Sequence, residues 1–246
     1  MTCTVINSFA LAAHSYVAPT FQALGTASDP NASSGNGYDY AASASPTVNE
    51  PAHAAGDILL CYSYGNKSQA ICLQNPVWVS GGNSAWASID SATAAGGNGR
   101  WWWSRAVDST IYGTTNYGGN GSTISTARFI ITAHRGCAAS GSPIAAFAQA
   151  TRTASTSCPF PTVTTPVDNC QMVFFGTRDN DSTAAAWSAQ ANANLSSIVE
   201  QYDAGISTGG LSITTAVMAT AGAVGSTTST VTSSDGFAFT LALLPA

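Results

Sequence analysis

The fold class predicted by this sequence is all-β: a single jelly-roll-like β-sandwich made of two pseudo-repeated halves. Three observations predict it. Short β-branched and aromatic runs are separated by Gly, Ser and Asn turns, the second half repeats the motif order of the first, and an apolar fraction of 45% accompanies only 8% charged residues.

The composition bounds the class. A chain of 246 residues fits one large sandwich as well as two domains. Its mean hydropathy of +0.11 supports a core and separates it from a charged disordered tail. Lys67 is the single lysine, so the solvated face has to be built from Ser, Thr, Asn, Gln, Gly and Ala. No uninterrupted apolar run approaches the ~20 residues that span a bilayer. The formal charge of −5 comes with scattered arginines, which removes the counterion-release drive for nucleic acid. Neither a membrane nor a nucleic acid is therefore expected as a partner.

The first element is an N-terminal arm, residues 1–17, ahead of a sandwich domain over 18–246. The arm lacks a basic stretch and a long apolar run, so it does not read as a secretory signal; the expectation is a protein that works where it is made or leaves the cell inside a particle. Thr4, Val5, Ile6 and Phe9 make the arm β-prone. Such a stretch invites pairing with another chain, and Tyr16 to Pro19 is expected as its hinge.

The repeat spans roughly 40–137 and 157–245, at an offset of about 110 to 115 residues. Pro46-Thr-Val-Asn-Glu-Pro51 returns as Pro161-Thr-Val-Thr-Thr-Pro166. Each is followed by an apolar run, Asp57 to Tyr64 and Gln171 to Thr177, in which Ile58 to Tyr62 and Met172 to Phe175 are the expected equivalent buried strands. A polar loop and then a tryptophan follow in each half, Trp78 and Trp187, and these are expected in matching places. Arg100 to Val107 aligns with Gly210 to Val217, and Ala127 to His134 with Phe237 to Leu244. Four strands per half cannot close a two-layer core alone, so interleaved halves sharing one core are expected. Only Ala184 to Asn194 has weak helical character.

Candidate chemistry is sparse. Gly205-Ile-Ser207-Thr-Gly209 fits the nucleophile-elbow pattern, but a β-rich run follows where the elbow needs a helix, so Ser207 reads as part of a glycine-rich loop. His14, His53 and His134 have no local partner pattern for a triad. Asp179 and Asp181, with Asn180 between them, offer Ca²⁺-type oxygens without the EF-hand glycine and glutamate; a solvated loop is the preferred reading. Six cysteines include no C-x-x-C pair; Cys61 with Cys72 and Cys158 with Cys170 could close disulfides, and buried free thiols are preferred in the absence of a signal. Trp101 and Trp103 lie on one face of their strand and Trp102 on the other, so one face is expected to present tryptophan to a partner or a sugar. No catalytic residue, cofactor or metal is expected.

The motifs themselves resemble a known module. Ala55-Gly-Asp-Ile-Leu-Leu60, Trp102-Trp-Ser-Arg-Ala-Val107 and Ala133-His-Arg-Gly-Cys137 are similar to the A-G-D-L-L, Y-Y-R-V-A and Y-R-G motifs of a β-sandwich module found in bacteriophage structural proteins and some bacterial surface proteins. The resemblance covers roughly Pro19 to Pro245. It implies a non-enzymatic virion protein, a capsid decoration or accessory head protein, partnered by a major capsid protein or other virion proteins, homo-oligomeric and located in the virion. A tail or fibre adhesin, or a lectin-like carbohydrate-binding module, is the alternative.

Overall fold

A computed structural model describes residues 16–25, 47–65, 76–78, 82–94, 97–112, 114–117, 127–178, 187–206 and 209–246. Among the described residues every regular element is a strand. The first half supplies β1 (Thr20–Leu24), β2 (Thr47–Asn49), β3 (Ile58–Gly65), β4 (Pro76–Trp78), β5 (Ala87–Ala94), β6 (Gly97–Arg105), β7 (Thr114–Tyr117) and β8 (Ala127–Arg135). The second supplies β9 (Ile144–Phe160), β10 (Thr164–Thr165), β11 (Cys170–Arg178), β12 (Ser188–Ala191), β13 (Ser196–Ile206), β14 (Gly209–Met218), β15 (Gly222–Ala223) and β16 (Thr227–Leu243). The helical tendency expected near Ala184 to Asn194 is corrected: Ser188–Ala191 is β12, paired to β16, because the ladder satisfies backbone groups that a short polar helix would leave exposed.

The repeat reappears as topology. The first large sheet runs β1-β8-β3-β6-β5. In the second, β16 and β14 flank β11, β13 closes one edge and β9 pairs the far side of β16, which gives β9-β16-β11-β14-β13. Both halves thus follow the chain through the same five-strand order, all antiparallel. The Pro-Thr-Val motifs also correspond: β2 pairs β7, the short strand after β6, and β10 pairs β15, the short strand after β14. Val48 and Val163 are buried at matching motif positions.

Two expectations are corrected. The fold is all-β with two large antiparallel sheets, and the halves are not interleaved: each builds one large sheet and one small one. A five-strand sheet needs a cover on its apolar face, and each half finds that cover in the other. The register expected within the repeat is also one residue out in two strands. In β3 the even-numbered Ile58, Leu60, Tyr62 and Tyr64 face the core between the sheets, whereas in β11 the odd-numbered Val173 and Phe175 do so. Likewise Ile130 faces that core in β8, but Phe237, Phe239, Leu241 and Leu243 do so in β16. The β6 and β14 alignment keeps its face, with Trp101 and Leu211 both inward.

The core is closed by aromatic contacts across the sheets. Trp101 stacks on Phe239 with ring centres 4.3 Å apart and planes within 2°, and Tyr62 stacks on Phe175 at 5.0 Å. Such pairs add about 0.5 to 1.5 kcal/mol each beyond the apolar area they bury. Outside this core, Leu59, Cys61, Trp102, Ile131 and Ala133 on the opposite face of the first sheet are also fully buried. A second apolar cluster, including Met172, Phe174, Phe160 and Trp187, backs the second sheet.

Candidate functional site

The side chains with chemical potential fall into four groups. The first gathers where the turns beside β2, β5 and β6 meet. Glu50, only 4% exposed, accepts from the Asn83 amide and, at 2.7 Å, from the Tyr112 backbone N–H. His53 Nε2 lies 3.4 Å from the same carboxylate, and its Nδ1 is 2.8 Å from the Pro51 carbonyl. Burial raises the Glu50 pKa against the lowering effect of these donors. Asp108 accepts from the Tyr112 hydroxyl at 2.7 Å and from Thr110 N–H at 2.7 Å, which hold its carboxyl below the usual range. The arrangement clamps three turns together and spends both carboxylates on donors inside the fold.

The second group bridges the sheets. His134 is fully buried, with Nδ1 2.8 Å from Gln171 Oε1 and Nε2 2.9 Å from the Thr132 hydroxyl. Nδ1–H donates to the Gln171 carbonyl oxygen, leaving Nε2 to accept. The Thr132 and Tyr62 hydroxyls lie 3.3 Å apart. Burial depresses the His134 pKa to about 4, so the ring is neutral at ordinary pH and ties β8 to β11. Phe21 packs edge-on against it at 5.7 Å.

The third group joins two of the motifs singled out in the sequence. Asp57, 2% exposed, accepts from Arg135 Nε at 3.0 Å and Nη2 at 2.8 Å, and from Ala54 N–H at 2.8 Å. The A-G-D and R-G motifs are thereby one structural device: the acid and the arginine form a two-point pair that fastens the turn before β3 to the end of β8. Gly56 at φ 85° and Gly136 at φ 77° supply left-handed backbone there.

The fourth is an open groove of about 410 Å³ between the β5 edge of one sheet and the β9 edge of the other. Ser88, Ile89, Trp103, Ser142, Ile144 and Phe147 line it. Gln149 on β9 reaches across to the Ser91 carbonyl at 3.1 Å. Arg105 stands over the Trp103 ring at 6.0 Å and donates to the Ala138 and Gly141 carbonyls at 2.7 and 3.2 Å.

The expected site residues fare unevenly. Trp101 is corrected: it is fully buried in the core and unavailable to a partner, because the sheet is covered on both faces. Trp103, partly buried, does border the groove. Trp78 and Trp187 are also corrected as equivalents. Trp78 stacks on Trp86 at 4.8 Å beside the small sheet, whereas Trp187 is buried against Gly176 and Phe160 with Arg152 over its ring at 5.8 Å. Thr4, Val5, Ile6, Phe9, His14, Asp179, Asp181 and Ser207 lie outside the described residues. Tyr16, in the expected hinge, gives its carbonyl to Asn169 Nδ2 at 2.7 Å, and Val17 is exposed. Cys61, Cys137, Cys158 and Cys170 are buried, Cys137, Cys158 and Cys170 as free thiols, with burial pushing the Cys137 thiol up to about 12 and those of Cys158 and Cys170 to about 11.

Sequence reasoning missed the Glu50 clamp and the His134–Gln171 link. Glu50 carried a signal, since an acid between two motif prolines in a chain with two glutamates has to be solvated or bonded. The His134–Gln171 link joins residues 37 positions apart and needs the sheet pairing to be known. Compared with known proteins, the chain matches no family model, no curated protein and no solved structure.

Proposed function

We propose that this protein is a non-enzymatic structural component of a bacteriophage virion, a capsid decoration or accessory head protein that binds a capsid surface. The observation that carries the reading is the Asp57–Arg135 pair: the motif residues behind the resemblance bond to each other and hold the scaffold. The Glu50, Asp108 and His134 groups likewise bond within the fold, and buried thiols with raised pKa are poor nucleophiles. A surface nearly free of lysine also loses little side-chain entropy when packed into a lattice.

Sedimentation of particles from a lysate of cells expressing the gene with its neighbours tests this. The protein is expected to travel with intact heads and to remain through washes; a protein found only in the soluble fraction contradicts it. Hydrolytic turnover that vanishes on replacing Ser207 or His134 would contradict it from the chemical side.

The groove beside Trp103 favours a second reading, a lectin-like or adhesin role in which an aromatic edge and the Ser88 and Ser142 hydroxyls meet a sugar. Glycan-array binding by the isolated protein, lost in Trp103→Ala, would replace decoration with that reading.

A further inference from the structure

Besides the four-residue β12 and the short strands of the two small sheets, the described strands leave four edges on the large sheets: β1 and β5 on the first, β9 and β13 on the second. Open edges template pairing with other chains, and folded proteins blunt them with shortness, bulges or charge. Three of the four are blunted. β1 has five residues and an irregularity between Phe21 and Ala23. β5 is bulged between Ser88 and Asp90 and carries that acid. β13 is interrupted twice and carries Glu200 and Asp203.

β9 is different. It runs for 17 residues, and from Ala146 to Thr151 it pairs β16 without a shift, opposite Ala242 to Phe237. Its segment Ile144-Ala-Ala-Phe-Ala-Gln-Ala-Thr151 has no charge and no proline. Arg152, the one charge on the strand, is buried and turned onto the carbonyls of Ser155, Thr177 and Ser234. Phe147 stands 44% exposed on this segment, beside the groove, with its ring 6.3 Å from Phe239.

We infer that the β9 edge is an interface for a second copy of this chain, with antiparallel β9-to-β9 pairing about a twofold axis centred on Phe147. A second copy is the occupant because a twofold axis brings two identical edges together, so a charge near the axis would meet the same charge and the edge has to be uncharged there. Of the four, β9 has the longest unbulged and uncharged stretch, Ala146 to Thr151, against Ser91 to Ala94 on β5. Two-fold pairing perpendicular to the sheet sets odd-numbered side chains beside odd-numbered ones. Phe147 then meets its counterpart across the strands, and Ala146 meets Ala148, with no like charges opposed. The two second sheets become one continuous sheet, and the exposed Phe147 rings are covered. This inference is independent of the virion reading.

Light scattering on the full chain at high micromolar concentration tests it. The expected mass is twice 24.9 kDa, falling to the single-chain value in Phe147→Lys with an unchanged circular dichroism spectrum. Val199→Lys, at an exposed apolar position on β13, is expected to remain dimeric. Phe147→Cys is expected to cross-link between copies under mild oxidation, with Thr153→Cys as the non-linking control. A monomeric wild type, a Phe147→Lys dimer, a Val199→Lys monomer or a Phe147→Cys protein that stays uncross-linked would overturn the inference.

Discussion

At the turn that feeds each central strand, the two halves do the same geometric work with different residues. The first half sets Gly56 at φ 85°, donates its N–H to the Ala106 carbonyl at 2.8 Å, and follows it with Asp57 paired to Arg135. The second half sets Asn169 at φ 59°, donates its N–H to the Ala219 carbonyl at 3.4 Å, and follows it with the buried Cys170. Asp168 takes over part of the fastening by accepting from Ala221 N–H at 2.7 Å. Left-handed backbone and one ladder-end hydrogen bond are common to both; the ion pair is not. What defines the repeat is therefore the backbone path and the inward apolar face, and the motif residues are one local solution among two.

The largest test of a shared core is Trp101→Ala. It removes a fully buried indole of the first sheet that stacks on Phe239 of the second, and a cost of about 3 to 5 kcal/mol is expected in urea unfolding. The loss is expected as a single lowered transition. A biphasic curve, with one half melting first, would break the comparison by showing two cores.

The His134 link gives the next effect, and its sign follows from the direction of the shift. The folded pKa is depressed to about 4 from 6.5, so between these values the unfolded chain binds more protons than the folded one. Stability is complete above about pH 6.5, declines as pH falls, and levels off below about pH 4, a loss of roughly 3 kcal/mol. His134→Asn is expected to flatten that part of the stability curve. Equal slopes in both proteins would remove His134 from the coupling between sheets.

How much of this was legible in the sequence depended on how each strand is covered. The central strands, the Pro-Thr-Val bridges and the order of β3, β6 and β8 against β11, β14 and β16 could be read because their apolar runs are long. Their register could not, because β3 and β11 are buried on both faces, and a strand covered twice loses the period-2 mark that fixes which residues point inward. The same double cover hides Trp101. The correspondence of β1 with β9 and of β5 with β13 was invisible: β9 opens with alanines and β13 is largely polar, neither a strong β signal. The groove inherited that blindness, since it lies between two of these unrecognised edges.

A smaller effect sharpens the equivalence of the two turns. At Gly56 an added Cβ meets nothing within 4 Å, so a substitution there reports backbone strain alone. Gly56→Ala is expected to cost about 1 to 2 kcal/mol, and Gly56→Asn under about 1 kcal/mol because asparagine tolerates left-handed backbone, as Asn169 does in the second half. If Asn costs as much as Ala at this position, the two turns are not equivalent in energy.

Each half forms one large sheet, and neither sheet is expected to be stable without the other. Expressing residues 16–140 and 141–246 as separate chains and following urea unfolding by near-ultraviolet circular dichroism tests it most directly. Each half alone is predicted to give no cooperative transition and no aromatic signal, because Tyr62, Trp101, Phe175 and Phe239 would face water in place of one another. A cooperative transition from either half by itself would contradict the claim and make the molecule two domains that touch.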